Sequence, residues 1–224
     1  MSIGHANERA LPACAQDTGR AMSEAEAVTL ATPDRRQALA PIFGRAFVDE
    51  PMMRWPMGAQ GDLVERFTRC FDCFLQHALP LGIVFESHAG RGAAVWTPPD
   101  HGLAWEQHPW NHASVHALAD DGGRRYEAFW RWVDAHSPTE PLWQLDSIAV
   151  DPASQGRGIG RALIEFGLAK AHGDGVGAFL STGTPRNVGI YAKSGFRVVE
   201  EAPYPAGGPR IWFMRWDPPV HRKG

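Results

Sequence analysis

The sequence predicts an α/β (α+β) domain on a mixed β-sheet flanked by helices, and its patterning, length and composition carry that prediction. Apolar β-rich runs alternate with helical runs over most of the chain, and a glycine-rich turn joins one strand directly to one helix. The length, 224 residues, suits one compact domain with one main core. Hydrophobic residues make up 44% and charged residues 21%, which supplies a core and is too little charge for a disordered chain.

Residues 1–26 show no sustained apolar period and are expected to form a disordered N-terminal extension. The domain is expected over 27–217, with a short tail over 218–224. Ala27 to Ala31 reads as a strand, and Thr32-Pro33-Asp34 is a helix-start signal for a segment ending near Phe47. Pro41 inside that segment predicts a kink or a later start. From Asp62 to Leu79 the residues Leu63, Phe67, Cys70, Phe71, Phe74 and Leu75 recur at spacings of three and four, an amphipathic helix. Ile83 to Phe85 and Ala93 to Thr97, separated by Gly90-Arg91-Gly92, read as a hairpin. Leu103 to His136 reads as one or two aromatic-rich helices. Beyond Pro141 the order is strand (Leu142 to Val150), glycine-rich turn, helix to about His172, strand (Gly177 to Thr182), short helix (Arg186 to Lys193) and two closing strands ending near Trp216.

Composition narrows the function classes. Lys plus Arg number 22 against 25 Asp plus Glu, a formal charge of −3, so nucleic acid is not an expected partner. The apolar stretch Ala78 to Phe85 is broken by Pro80 and Gly82 and is far shorter than the roughly 20 residues a membrane helix needs, so no membrane partner is expected. Three cysteines, Cys14, Cys70 and Cys73, leave one unpaired in a monomer, and no apolar run follows Met1, so a cytoplasmic location is expected.

The segment that carries chemistry begins at Leu145-Asp146-Ser147-Ile148-Ala149-Val150 and continues through Gln155-Gly156-Arg157-Gly158-Ile159-Gly160-Arg161 into a helical run. A strand that delivers a glycine-rich turn into a helix start makes an anion site, because unpaired N–H groups and the positive end of the helix dipole face the same way. The ligand such a site takes is a phosphate or pyrophosphate. Two other nucleotide motifs fit less well. The P-loop ends in Gly-Lys-Ser/Thr, which is absent, and the dinucleotide fingerprint spaces its glycines differently and sits at the first strand.

About 30 residues further on come Thr182-Gly183-Thr184-Pro185-Arg186-Asn187 and Tyr191-Ala192-Lys193-Ser194-Gly195-Phe196. Taken with Gln155, Gly158 and Gly160, the residues Asn187, Tyr191, Gly195 and Phe196 make the chain resemble the GNAT N-acetyltransferase superfamily. A closer resemblance is to puromycin N-acetyltransferase and its relatives. It runs through Ala93 to Thr97, Glu140-Pro141-Leu142-Trp143, Ala178 to Thr182, Pro185-Arg186-Asn187 and Gly208 to Met214, and it is thin between Leu103 and Ser137.

The resemblance implies a GNAT fold whose mixed, mostly antiparallel sheet opens where parallel strands four and five splay apart. It implies acetyl-CoA as co-substrate. The pantetheine arm would pair with the main chain of Ile148, Ala149 and Val150, and the pyrophosphate would lie on Gln155, Gly156, Arg157, Gly158, Ile159, Gly160 and Arg161. Asn187 matches a residue near the pantetheine arm; read as a residue alone, it is also a plain helix-start residue after Pro185. Tyr191 stands where the superfamily commonly places the proton donor to the leaving thiolate, and its other reading is a packing tyrosine.

Amide formation needs a neutral amine and a destination for its proton. Some relatives carry a glutamate at the position of Gln144, which takes no proton here. Asp146, two residues on and on the same face by strand alternation, binds or deprotonates the amine, or is a structural hydrogen-bonded carboxylate. His108, His112 and His116 lack a completing ligand, so no metal is expected. Cys70 and Cys73 read as packing residues, and Trp105, Trp110, Trp130 and Trp132 as an aromatic acceptor wall or core. The expected activity is acetyl transfer to the primary amine of a small molecule, an aminonucleoside antibiotic among the candidates, in a ternary complex and with a homodimer possible by analogy. Peptide or protein N-acetylation and a non-catalytic acyl-CoA-binding regulatory module are the alternatives.

Overall fold

A computed structural model describes residues 27–87, 90–99, 108–205 and 207–219. The expected extension over 1–26, the end of the tail, and Trp105 lie outside the described residues. Seven strands form one sheet in the order β1-β2-β3-β4-β5-β7-β6. They are β1 (Val28–Leu30), β2 (Val84–Ser87), β3 (Gly92–Thr97), β4 (Trp143–Val150), β5 (Ala178–Thr182), β6 (Arg197–Pro203) and β7 (Arg210–Trp216). All neighbours are antiparallel except β4 and β5, which run parallel. The helices are α1 (Arg36–Phe47), α2 (Pro51–Met57), α3 (Leu63–Ala78), α4 (Ala113–His116), α5 (Arg124–Ala135), α6 (Ile159–Gly173) and α7 (Pro185–Lys193). Among the described residues no helix is long and apolar enough to cross a membrane.

Pro41 sits inside α1, which starts at Arg36 after a short 3-10 turn over Pro33–Arg35, so the proline neither ends the helix nor delays it past its own position. Helix α3 starts at Asp62, whose side chain accepts the Glu65 N–H at 3.1 Å and satisfies one of the donors a helix start leaves open. Its apolar stripe, Phe67, Cys70, Phe71, Phe74 and Leu75, is fully buried against α1 and the sheet. Phe43 stacks on Phe71 at 4.7 Å and Trp110 on Phe74 at 4.1 Å, which fastens the middle segment to this core. Cys70 is part of that packing, as expected, and burial pushes its thiol far above the ordinary range. The opposite face of the sheet is closed by α6. Trp96 lies fully buried there and its Nε1 donates to the Leu163 carbonyl at 3.1 Å, which spares a buried donor a cost of about 1–3 kcal/mol.

Two features of β4 shape the site. Its parallel pairing with β5 is confined to Trp143 opposite Ala178 and Gln144 opposite Phe179, while β5 stays paired with β7 as far as Thr182. From Leu145 onward β4 and β5 therefore part, as the splay predicts. The second feature is a bulge. Val95 pairs with Ser147 but Trp96 pairs with Leu145, so Asp146 is the extra residue of β4. Strict alternation is broken there: Leu145 packs in the same cluster as Ile148 and Val150, while Ala149 packs in the cluster on the α1 and α3 side. The bulge, not simple alternation, aims Asp146.

Candidate active site

A cleft of about 720 Å³ occupies the gap where β4 and β5 part. At one end stands the glycine-rich turn. Gly156 and Gly158 both have left-handed backbone, φ 77° and 88°, which costs glycine little and other residues about 1–2 kcal/mol. Gly158 is the residue before α6 and has no side-chain cap. The first intrahelical bond runs from Ala162 N–H to the Gly158 carbonyl at 2.9 Å, so the N–H groups of Ile159, Gly160 and Arg161 have no helical partner. These residues line the cleft, and the open donors together with the helix dipole fit a diphosphate.

The sequence-based candidates separate into groups. Gln155, Gly156, Gly158, Ile159, Gly160 and Arg161 line the cleft at the turn, and Ile148, Val150, Asn187 and Tyr191 line its walls. Arg157 is exposed and outside the lining, and Arg161, mostly exposed, pairs with Glu165 at 2.6 Å. Ala149 is buried in the α1 and α3 core, so only its main chain faces the strand edge. Gln144 is exposed and belongs to a smaller cavity of about 290 Å³ beside the main one. Asp146 lines both cavities. Its side chain is 5% exposed and accepts a hydrogen bond from the Thr97 hydroxyl.

Sequence reasoning missed Glu50. This residue immediately precedes α2 and lines the cleft. Its Oε1 accepts the Gly183 N–H at 3.2 Å and its Oε2 the Asn187 side-chain amide at 3.4 Å; Asn187 also donates to Thr182 Oγ1 at 3.2 Å. Burial pushes the Glu50 carboxyl above the usual carboxylate range, even though N–H groups of Met52 and Gly183 favour its anion. Tyr191 is buried on the same wall. Burial first, and the Glu50 charge second, raise its phenol well above the ordinary range, so it stays protonated at neutral pH. The sequence signal for Glu50 was its place before Pro51 at a helix start, which marks a cap more readily than a site.

The aromatic expectation divides. Trp110 and Trp130 line the cleft, together with Phe47, Met52 and Met53. Trp132 packs instead against Tyr204 and His136 away from it. Two of the three histidines act as local caps: His108 Nδ1 accepts the Trp110 N–H at 3.3 Å and His112 Nδ1 accepts the Ser114 N–H at 3.2 Å, while His116 packs against Tyr126. His112 also stacks on His77 at 4.3 Å.

Comparison with known proteins agrees with this architecture. The family model described as an acetyltransferase (GNAT) domain matches residues 112–198. A mycothiol acetyltransferase of Geodermatophilus obscurus is 34% identical over 119 residues, which is 50% of this chain and 37% of that relative. The chain thus matches little more than a third of the length of that curated relative. Among solved structures, one from Corynebacterium glutamicum described as a histone acetyltransferase and related acetyltransferase has a TM-score of 0.61 at 19% identity, covering 88% of this chain and 98% of that one. A Drosophila melanogaster polyamine N-acetyltransferase, described as forming N-acetylagmatine, has a TM-score of 0.52 at 15% identity, covering 85% and 98%. These likenesses establish the GNAT acetyltransferase fold.

Proposed function

We propose, from the GNAT acetyltransferase domain that the chain carries, that this protein transfers an acetyl group from acetyl-CoA to the primary amine of a small molecule. The observation that carries the reading is the convergence of a protonated tyrosine, Tyr191, and a desolvated carboxylate, Glu50, on the gap between β4 and β5 that ends in the glycine turn. Acetyl-CoA supplies an activated thioester. The turn over Gln155 to Arg161 holds its diphosphate, and the unpaired β4 edge at Ile148, Ala149 and Val150 takes its pantetheine arm by main-chain pairing, as a strand adds to a sheet edge.

The residues divide the proton work. Glu50, made more basic by burial, takes the proton from the amine as the nitrogen attacks the carbonyl carbon. Tyr191 gives its proton to sulfur as the carbon–sulfur bond breaks. Unpaired N–H groups along the β4 edge stand ready for the oxyanion. Transfer is direct, in a ternary complex, the amine nitrogen attacking the thioester carbon itself. Gln144, in the smaller cavity, is left without a proton-transfer role; Asn187, bonded to Glu50, orients that carboxylate as well as flanking the arm.

The apolar and aromatic lining on the acceptor side favours an amine on an aromatic or flat body. Puromycin and related aminonucleosides follow from the sequence resemblance, and mycothiol-related amines from the names of the curated relatives. A cytoplasmic detoxifying role accords with the first group. The test is thiol release from acetyl-CoA across puromycin, mycothiol-related amines, aminoglycosides, polyamines, 2-phenylethylamine and short peptides, with mass spectrometry of each product. A singly acetylated small amine is the expected result. Acetylation of peptides alone moves the protein to the peptide class, and acetyl-CoA binding without any product overturns the enzymatic reading in favour of a regulatory module.

A further inference from the structure

The geometry points to Asp146 as the carboxylate that recognises the acceptor amine as a cation, with Thr97 and His108 as the positioning residues that hold it. The inference rests on the acetyl-transfer reading and adds to it a second carboxylate with a different task from Glu50.

Asp146 is the extra residue of the β4 bulge, and its side chain lies where the main cleft meets the smaller cavity. A carboxylate that is 5% exposed is costly unless a cation or several donors face it. Thr97 donates to Oδ2. Among the described residues its ion-pair partner is a histidine, His108, with Nε2 at 3.8 Å from Oδ1, rather than a lysine or arginine. The tautomer of His108 follows from its other nitrogen. Nδ1 accepts the Trp110 backbone N–H at 3.3 Å, so in the neutral ring the proton sits on Nε2, the nitrogen 3.8 Å from Asp146 Oδ1. Trp110 itself lines the main cleft, so the same short segment places an aromatic wall and the donor behind Asp146.

The two carboxylates are thereby set to different work: Asp146 binds the ammonium, which gives one proton to solvent water before the nitrogen attacks, and Glu50 takes the second as the amide forms. Glu50 is desolvated and basic, which suits a group that takes a proton. Asp146 accepts from the Thr97 hydroxyl at Oδ2, has the His108 ring 3.8 Å from Oδ1 and lines both cavities, which suits a group that binds a cation. Loss of Asp146 or of its support therefore weakens amine binding, while loss of Glu50 slows the chemical step.

The experiment uses the full chain with 2-phenylethylamine as the cationic probe and 2-phenylethanol as its neutral counterpart, with binding read from tryptophan fluorescence and turnover from thiol release. Asp146→Asn and His108→Ala are expected to weaken amine binding, or raise its KM, by about tenfold or more, the usual scale for losing one charge-assisted contact. They should leave 2-phenylethanol and acetyl-CoA binding within about twofold, and His108→Gln, which keeps an N–H donor, should recover most of the loss. Nitrogen-15 NMR of the histidine rings should show His108 with its proton on Nε2. A proton on Nδ1, equal weakening of the amine and the alcohol, or no weakening of either overturns the inference. Should the wild type acetylate no amine, the transfer reading fails, and direct binding of the probe together with the ring tautomer still decides this one; wild type that does not bind the amine overturns it.

Discussion

Glu50 Oε1 accepts the backbone N–H of Gly183 at 3.2 Å, a bond that spans 133 residues and ties the start of α2 to the turn between β5 and α7. The approach depends on glycine: a Cβ at position 183 would stand 2.8 Å from Glu50 Oε1 and 3.0 Å from Met52 Cγ. Gly183→Ala should therefore fold but displace Glu50. Expected is a fall in kcat of about tenfold or more, the scale of misplacing a catalytic group by a fraction of an ångström, with acetyl-CoA binding little changed. Steady-state kinetics beside calorimetric acetyl-CoA titration checks it, and an unchanged kcat would detach Glu50 from the chemistry.

Glu50→Gln separates function from stability. Because the folded carboxyl is raised by burial, the folded state holds its proton more tightly than the unfolded chain does, so this group's contribution to stability falls as pH rises from the ordinary carboxylate value through the raised folded one. Above that window the wild type carries the cost of a desolvated charge and the glutamine variant does not. Turnover should drop by about 10²- to 10⁴-fold, the range for loss of a general base, while Tm at neutral pH stays level or rises. In the wild type, kcat/KM should fall on the acid side with a midpoint above the usual carboxylate range. Activity in Glu50→Gln close to wild type would return the proton-accepting role to water.

How much of this was legible in the sequence follows from what each residue had to declare. The strands and long helices were readable because Phe67, Phe71 and Phe74 repeat with the helix and Ala93 to Trp96 form an unbroken apolar run. The turn from Gln155 to Gly160 was readable because glycine adopts the left-handed backbone of Gly156 and Gly158 at little cost. Helix α2 was not: seven residues with Pro51 and Pro56 carry no period, and its position is set by packing of Met52 and Met53. Glu50 was missed for the same reason, since its meaning comes from Gly183 and Asn187, more than 130 positions away. The bulge at Asp146 was invisible to alternation, because it is fixed by pairing with β3 and not by β4 itself.

Tyr191→Phe removes one oxygen from a buried ring that packs edge-on to Phe196 at 6.0 Å, so the fold should tolerate it. The expected loss in turnover is about 10²-fold or more, as for loss of a general acid, with acetyl-CoA still bound. A leaving group that needs no proton separates this role from packing: an activated thioester with a more acidic thiol should be transferred by the variant nearly as fast as by the wild type. Unchanged turnover with acetyl-CoA would remove Tyr191 from the mechanism.

Gly167 and Gly160 lie on the same helix and should respond in opposite ways to alanine. A Cβ at Gly167 would fall 2.0 Å from Trp96 Cε2, and the indole is held by its bond to Leu163, so Gly167→Ala forces α6 off the sheet and should cost about 3 kcal/mol or more. At Gly160 the nearest atom to an added Cβ is Val150 Cγ2 at 3.5 Å, ordinary contact, and alanine is the better helix former by up to about 1 kcal/mol. Gly160→Ala should therefore melt no lower than the wild type. Its methyl group nevertheless stands in the cleft wall beside the open N–H groups of the helix start. If the diphosphate rests on that main chain, the variant will bind acetyl-CoA about tenfold more weakly or worse while folding at least as well, and thermal melts beside direct titration decide it: a stable variant with undiminished affinity would place the diphosphate elsewhere.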